Sequence, residues 1–203
     1  MKRPKMKSVS SDGRILRSER TKKRLAGALY ELLGEGEFEP SAQKVADRAG
    51  IGIRSVFRLF SDMDALYSTV NARLEEDLEP MLGGQPSADS PRAERVEALI
   101  EERVAVFERF APYLRATNRL RDRSEFLSNQ YRKTVVRLRH RLFGFLPEVR
   151  DGSFELIEAI DQATSFEAWG RMRKEQRLSR SRARAALRFT VQALLAPLDE
   201  GSR

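Results

Sequence analysis

The chain has 203 residues, of which 40% are hydrophobic and 33% are charged, with no cysteine and one histidine. This length exceeds a typical domain of roughly 100–150 residues, so we expect a short domain joined to a larger one. The absence of cysteine excludes disulfides, thiolate catalysis and cysteine-based zinc sites. The apolar runs are far shorter than the ~20 residues that a transmembrane helix needs. We therefore expect a cytoplasmic protein that makes no membrane contact.

Positive charge is concentrated at the N-terminus. Residues 1–24 contain ten Lys and Arg but only two acids, and this net charge of +8 equals that of the whole chain. We expect residues 1–19 to form a flexible basic arm. Such an arm is typical of proteins that reach a polyanion. The alternative is a solvated tail that increases solubility.

Hydrophobic residues at helical spacing predict four helices before residue 83. Gly34, Gly36 and Gly50 mark helix ends, since glycine adopts the left-handed C-cap conformation easily. Ser41 and Asp62 are candidate N-caps. The predicted helices carry their apolar residues from Leu25 to Leu33, from Ala42 to Ala49, from Ile53 to Phe60 and from Leu66 to Leu82.

The rest of the chain is also predicted to be helical. Residues 83–91, rich in Gly, Pro and Ser, form a loop. No segment alternates with a period of two, so the fold class is all-α with about nine helices. The expected helices run from about Val96 to Pro112, briefly through Leu114 and Leu120, from Phe126 to Phe145, from Phe154 to Lys174 and from Ser181 to Ala196, with a break at 147–153.

Residues 45–59 have the spacing of a helix-turn-helix. Ala46 is small where two helices must approach closely, and Gly50, four residues later, supplies the positive φ of a sharp turn. The next helix projects polar side chains outward and can enter the major groove, where arginine pairs with guanine O6 and N7. An ordinary αα-corner explains Ala46 and Gly50 equally well. The cationic outer face and the preceding basic arm favour DNA binding.

The candidate DNA-contacting residues fall into two groups, because base contacts specify a site and phosphate contacts position the protein. We assign Arg54, Ser55 and Arg58 of the third helix to base contacts, and Ile53 and Phe57 of the same helix are further candidate DNA-contacting residues. The second group is expected to contact phosphates or to follow the minor groove. Its members are Ser41, Gln43, Lys44, Arg20, Lys22, Lys23 and Arg24.

Residues 41–60 and 62–66 together resemble the DNA-binding signature of the tetracycline-repressor (TetR) family, and the nine-helix layout resembles the family over nearly all of the chain. The resemblance implies a homodimeric repressor that binds a palindromic double-stranded operator. It also implies an effector pocket in the C-terminal domain and dimerisation through the last two long helices. The expected domains are thus a basic arm at 1–19, a DNA-binding domain at 20–66 and an effector-binding and dimerisation domain at 67–203.

Four residues depart from the family pattern. Gly52 replaces a common serine, Arg54 a frequent glycine, Phe57 a frequent tyrosine and Met63 a frequent lysine. The resemblance implies phosphate contacts at the last two positions. We therefore hypothesise that the basic arm supplies compensating charge.

Aromatic residues of the C-terminal part are candidates for an apolar cavity that holds the effector, with core packing as the alternative. Basic residues are dense in 115–141 and 171–188. If an arginine of these segments faces inward, an anionic effector such as a carboxylate or an acyl thioester is favoured. The candidate pocket residues are Phe107, Phe110, Tyr113, Phe126, Tyr131, His140, Phe143, Phe166 and Trp169.

An enzyme is disfavoured, because the chain has one histidine, no cysteine, no metal-ligand cluster and no phosphate-binding glycine loop. We expect no cofactor and no metal. Two alternatives remain open at this point: a non-specific nucleic-acid-binding protein that uses the basic arm, and the same fold acting as an activator or without an effector.

Overall fold

The structure is a computed structural model that describes residues 9–200. In this part of the chain every regular element is helical, and the prediction of an all-α fold is confirmed. None of the described helices is both long and apolar enough to cross a bilayer. The helices are α1 Val9–Gly34, α2 Ala42–Ala49, α3 Ile53–Leu59, α4 Met63–Leu78, α5 Arg92–Leu120, α6 Glu125–Phe145, α7 Pro147–Arg150, α8 Phe154–Ala163, α9 Phe166–Gly170, α10 Arg180–Leu195 and α11 Pro197–Glu200.

Helix α1 begins at Val9, well before the expected end of the flexible arm at residue 19. Residues 9–19, which were expected to belong to a flexible arm, are therefore helical, and residues 1–8 lie outside the described part. The physical reason is local, because residues 14–24 contain neither Gly nor Pro and are rich in Arg and Lys, which favour helix. Ile15 and Leu16 are both exposed on this extension.

Local capping explains where the next helices begin and end. Ser41 accepts a hydrogen bond from the backbone N–H of Lys44 and so caps α2, while Gly50 closes it in the left-handed conformation with φ of 62°. Gly52 precedes α3 without a side-chain cap. Asp62 caps α4 by accepting from the N–H of Ala65 at 2.9 Å. These caps match the sequence prediction.

Helix α5 continues through Pro112, where the sequence suggested an end. Proline lacks the N–H that would bond to the carbonyl of residue 108 and therefore weakens a helix locally. Tyr113, Ala116 and Leu120 are buried beyond this point. Burial of this continued face offsets the lost hydrogen bond, so α5 stays one element.

The predicted helix 154–174 is instead divided into α8 and α9, followed by a π-helical turn at Arg171–Glu175. Thr164 donates its hydroxyl to the carbonyl of Ile160 at 2.8 Å, which competes with continued helix formation. Ser165 then caps α9 by accepting from the N–H of Ala168. The expected break at 147–153 likewise contains the short helix α7.

Candidate functional site

Helices α2 and α3 form a helix-turn-helix that packs on α1. Val45 and Ala46 are fully buried between the helices, and Val56 faces the same core from α3. Arg24 of α1 donates to the carbonyl of Ala49, the last residue of α2, at 2.7 Å. A cation at this position satisfies an unpaired carbonyl and interacts favourably with the negative end of the helix dipole.

The opposite side of α3 is open to solvent. Arg54, Phe57 and Arg58 are all exposed, and 68% of Phe57 is accessible although its side chain is apolar. Ile53 and Ser55 are partly exposed beside them. Within residues 9–200, neither Arg54 nor Arg58 has an acidic partner. This surface, which we call the α3 face, therefore presents two uncompensated guanidinium groups around an exposed aromatic ring.

The α2 candidates are exposed but already have protein partners. Ser41 acts as the helix cap, and Gln43 donates to the carboxylate of Asp47 at 2.7 Å. Lys44 pairs with Glu37 in the preceding loop. A phosphate contact by Gln43 or Lys44 thus requires exchange of an existing partner.

The four α1 candidates differ in whether they already have a protein partner. Arg20 and Lys23 are exposed and have no ion-pair partner in the described part of the chain. Lys22 pairs with Glu19 at 3.1 Å, and Arg24 is held at the end of α2. Arg20 and Lys23 are accordingly the two α1 cations available to a phosphate backbone.

Sequence reasoning missed Arg48, which joins α2 to the end of α1. Both of its terminal nitrogens donate to the carboxylate of Glu35 at 2.7 Å. The hydrogen bonds from Arg48 lower the pKa of Glu35. No local pattern marks this pair, because Glu35 follows the end of α1, Arg48 lies in α2, and the two meet only in the folded chain.

A cavity of about 370 Å³ lies in the C-terminal part, between α4, α5, α6, α8 and α9. Its size falls within the roughly 300–1,000 Å³ of ligand pockets. Most of its accessible lining is apolar. Five of the candidate pocket residues line it: Phe107, Phe110, Tyr113, Tyr131 and Phe166.

The other four candidates lie outside this cavity. His140 is exposed on α6, and Phe143 stacks under the guanidinium of Arg150 at 5.6 Å. The Trp169 indole donates to Glu108 at 2.9 Å, on the far side of α9. Phe126 lies in the first turn of α6 and is absent from the cavity wall. Their helix positions turn them away, which the spacing of aromatic residues alone did not reveal.

Charged side chains line one part of the cavity. Arg137 donates to Glu75 of α4 at 2.5 Å. Arg139 pairs with Asp161 of α8. Arg141 binds Glu102 of α5. A fourth arginine in the wall, Arg103, is almost fully buried, and burial lowers its pKa to about 10.

Two contacts connect the cavity wall to α1, on which the helix-turn-helix packs. The ring of Tyr113, which lines the cavity, lies 4.6 Å from the ring of Tyr30 on α1. Tyr30 donates its hydroxyl to Asp77 of α4 at 2.5 Å. Burial, the hydrogen bond to Asp77 and contact with Tyr113 raise the pKa of Tyr30 far above its ordinary range.

Helix α4 also connects the helix-turn-helix to the C-terminal part, with a contact near each of its ends. At its start, Asp64 accepts a hydrogen bond from the Ser124 hydroxyl at 2.6 Å. At its other end, Leu74, Glu75 and Leu78 line the cavity. Helix α4 therefore follows α3 directly at one end and lines the cavity at the other.

No protein-family model matches the chain, and no curated protein matches it in sequence. Comparison with solved structures gives a match to a transcriptional regulator from Rhodococcus sp. Rha1, at 21% sequence identity and a TM-score of 0.66. The match covers 87% of this chain and 96% of that chain. Over nearly all of its length, this chain therefore shares its fold with a transcriptional regulator.

Proposed function

We propose that the protein is a sequence-specific transcriptional repressor that binds a palindromic operator as a homodimer and is released by a small-molecule effector. The observation that carries the proposal is the α3 face. Arg54 and Arg58 are exposed there without an acidic partner, whereas the nearby cations Lys44 and Arg48 are paired. Uncompensated arginines on a helix presented outward suit the bidentate contacts that arginine makes with guanine.

A second copy of the chain is needed because one short α3 helix makes few base contacts. A two-fold dimer doubles them over half-sites about one helical turn or a multiple of it apart. The last two long helices offer a surface, since Phe154 of α8 and Phe189 of α10 are 71% and 74% exposed. Large exposed apolar residues on adjoining helices are typical of a protein interface.

The release step follows from the position of the cavity. A ligand that fits better when α4 moves shifts the population of conformations by its difference in affinity for them. Helix α4 lines the cavity and is tied to α1 through Asp77 and Tyr30. An effector therefore acts on the spacing of the two α3 helices in the dimer. Activation of transcription with the same geometry is the alternative function.

The test uses genomic fragments retained by the wild-type protein. We expect Arg54→Ala and Arg58→Ala to reduce affinity for these fragments strongly while leaving the thermal midpoint unchanged. The matched control is Arg109→Ala, which removes the same charge from an exposed position on α5. Equal affinity of all four proteins would contradict the proposal, as would a monomer at the concentrations that saturate the DNA.

A further inference from the structure

Arg103 is unusual among the charged groups of the cavity wall. It is 2% exposed, and its Nη2 donates to the carbonyl of Leu138 at 2.6 Å. Its Nε is buried and has no hydrogen-bond partner. A buried donor left unpaired is costly, particularly on a charged group.

The other arginines that line the cavity each bind a carboxylate. Arg137, Arg139 and Arg141 pair with Glu75, Asp161 and Glu102 respectively. Among the described residues of the wall, Arg103 alone has a carbonyl as its only acceptor. Glu102 and Asp161 are close enough to raise its pKa, but they are engaged by their own arginines.

Arg103, Arg139 and Arg141 form one charged group with Glu102, Asp161 and Glu158. The acids equal the arginines in number, but each acid is hydrogen-bonded to Arg139 or Arg141. Among the described residues, none of these acids is hydrogen-bonded to Arg103. A carboxylate inside the cavity would give the Arg103 guanidinium an anionic partner of its own.

The remainder of the wall is apolar. Val106, Phe107 and Phe110 follow Arg103 along α5, and Phe166 of α9 faces Phe107 with ring centroids 5.6 Å apart. A ligand that fills the cavity therefore meets a guanidinium at one end and aromatic rings along its body. This arrangement favours an amphipathic acid over a polar or a cationic compound.

We propose that the cavity binds a carboxylic acid with an apolar body, whose carboxylate accepts hydrogen bonds from Arg103. The role of this acid as the effector rests on the proposed function, whereas its binding does not. A planar guanidinium and a carboxylate form charge-assisted hydrogen bonds that are stronger than neutral ones. Small rearrangement of the Arg103 side chain brings its unpaired Nε to the ligand.

The probes are straight-chain carboxylates of six to twelve carbons and phenylalkanoates, each compared with the alcohol and the amine of the same length. Thermal shift and calorimetric titration are measured on the full chain. We expect the carboxylates to raise the thermal midpoint with increasing concentration, and the matched alcohols and amines to bind at least about tenfold more weakly. Equal binding of acid and alcohol, or no binding by any acid, would overturn the proposal.

The variants test whether acids bind through a specific contact with Arg103 or through the general positive charge of the protein. Arg103→Met removes the guanidinium at similar volume, and replacement of a buried charge by an apolar group is often tolerated by the fold. We expect it to weaken acid binding at least about tenfold and to leave alcohol binding within about threefold. Arg109→Met, at an exposed position on α5 that does not line the cavity, is the control and should change acid binding little. Undiminished acid binding by Arg103→Met would overturn the proposal.

If Arg103→Met does not fold, Arg103→Lys tests the same contact between Arg103 and the acid. It keeps the charge but loses the planar fork, and we expect intermediate affinity for acids.

DNA binding is measured separately on each protein without ligand. Acid binding that leaves DNA affinity unchanged supports this site and contradicts the release step of the proposed function. If the wild-type protein without ligand shows no sequence-specific DNA binding, the proposed function is contradicted, whereas the proposed acid site is not.

Discussion

The ring of Tyr30 on α1 stacks at 4.6 Å on the ring of Tyr113, which lines the cavity from α5. This pair places an aromatic contact directly between the helix on which the helix-turn-helix packs and the candidate ligand site. Gly34 makes room for it, because a Cβ at that position would lie 3.1 Å from the Tyr113 hydroxyl oxygen. The close approach of α1 to α5 thus depends on a small residue at the end of α1.

The hydroxyl of Tyr30 also stabilises the fold, through its hydrogen bond to Asp77. Tyr30→Phe keeps the ring but removes the hydrogen bond to Asp77, and we expect a loss of about 1 kcal/mol in the free energy of unfolding. Chemical denaturation measures it. Tyr67→Phe is the matched control, because Tyr67 is half-buried and has no hydrogen bond in the described residues. Equal losses in the two variants would contradict the role assigned to Asp77.

The turn between α2 and α3 requires glycine at position 50. Gly50→Ala places a side chain at φ of 62° and should cost about 1–2 kcal/mol of unfolding free energy. Gly52→Ala serves as control, since φ there is −63° and a Cβ meets no atom within 4 Å. We expect a change within about 0.5 kcal/mol for this control. A similar cost at both positions would show that the positive φ is not the cause.

Arg24 and Lys23 are neighbours with different expected roles. Arg24→Ala removes the bond to the Ala49 carbonyl, so we expect a loss of stability of about 1 kcal/mol. Lys23→Ala should leave stability unchanged and weaken DNA binding. Loss of one phosphate contact lowers the slope of log affinity against log salt by about one unit. If Lys23→Ala destabilises the protein and Arg24→Ala does not, the assignment is reversed.

Arg95 and Glu148 give stability a dependence on acid pH. Burial raises the pKa of Glu148, but the hydrogen bonds and charge of Arg95 outweigh it and hold that pKa below 4.5. A carboxyl with a lowered pKa in the fold contributes stability above its ordinary pKa, and this is lost as pH falls through the lowered value. Glu148→Gln should cost about 1–3 kcal/mol at neutral pH, because Arg95 is left buried without its partner.

The difference in unfolding free energy between wild type and Glu148→Gln should therefore be constant above about pH 5 and shrink on further acidification. Denaturation at a series of pH values measures it. Glu94→Gln, an exposed position on the first turn of α5, is the control. A difference that does not shrink in acid would argue against the ion pair with Arg95 as the cause.

Local chemistry explains what the sequence could predict. Ser41, Asp62 and Gly50 determine helix ends through their own side chains or backbone freedom, and the structure has the same caps. The continuation of α5 through Pro112 depends on burial of the next turns against other helices, as Tyr113 packs against Tyr30 of α1, and no local pattern contains this contact. The break between α8 and α9 occurs at Thr164 and the capping residue Ser165, a choice that an apolar stripe does not reveal.

The candidate sites show the same limit. Spacing alone placed Arg54 and Arg58 on the outer side of α3, whereas the partners of Lys44 and Arg24 arise from contacts between different segments of the chain. The sequence pointed to the basic segments 115–141 and 171–188 for an inward arginine, and Arg137, Arg139 and Arg141 of the first segment do line the cavity. Arg103 lies outside both and is distinguished by what it lacks, a carboxylate partner, which only the packed structure shows.

Selection of bound duplexes from a random-sequence DNA pool, read base by base for wild type, Arg54→Ala and Arg58→Ala, tests the central claim most directly. We expect the wild-type protein to enrich inverted repeats whose half-sites lie one helical turn or a multiple of it apart. Each variant should lose preference at its own base position in both half-sites, by about 1–3 kcal/mol. Uniform weakening on all sequences, or no enriched repeat with wild type, would contradict sequence recognition by the α3 face.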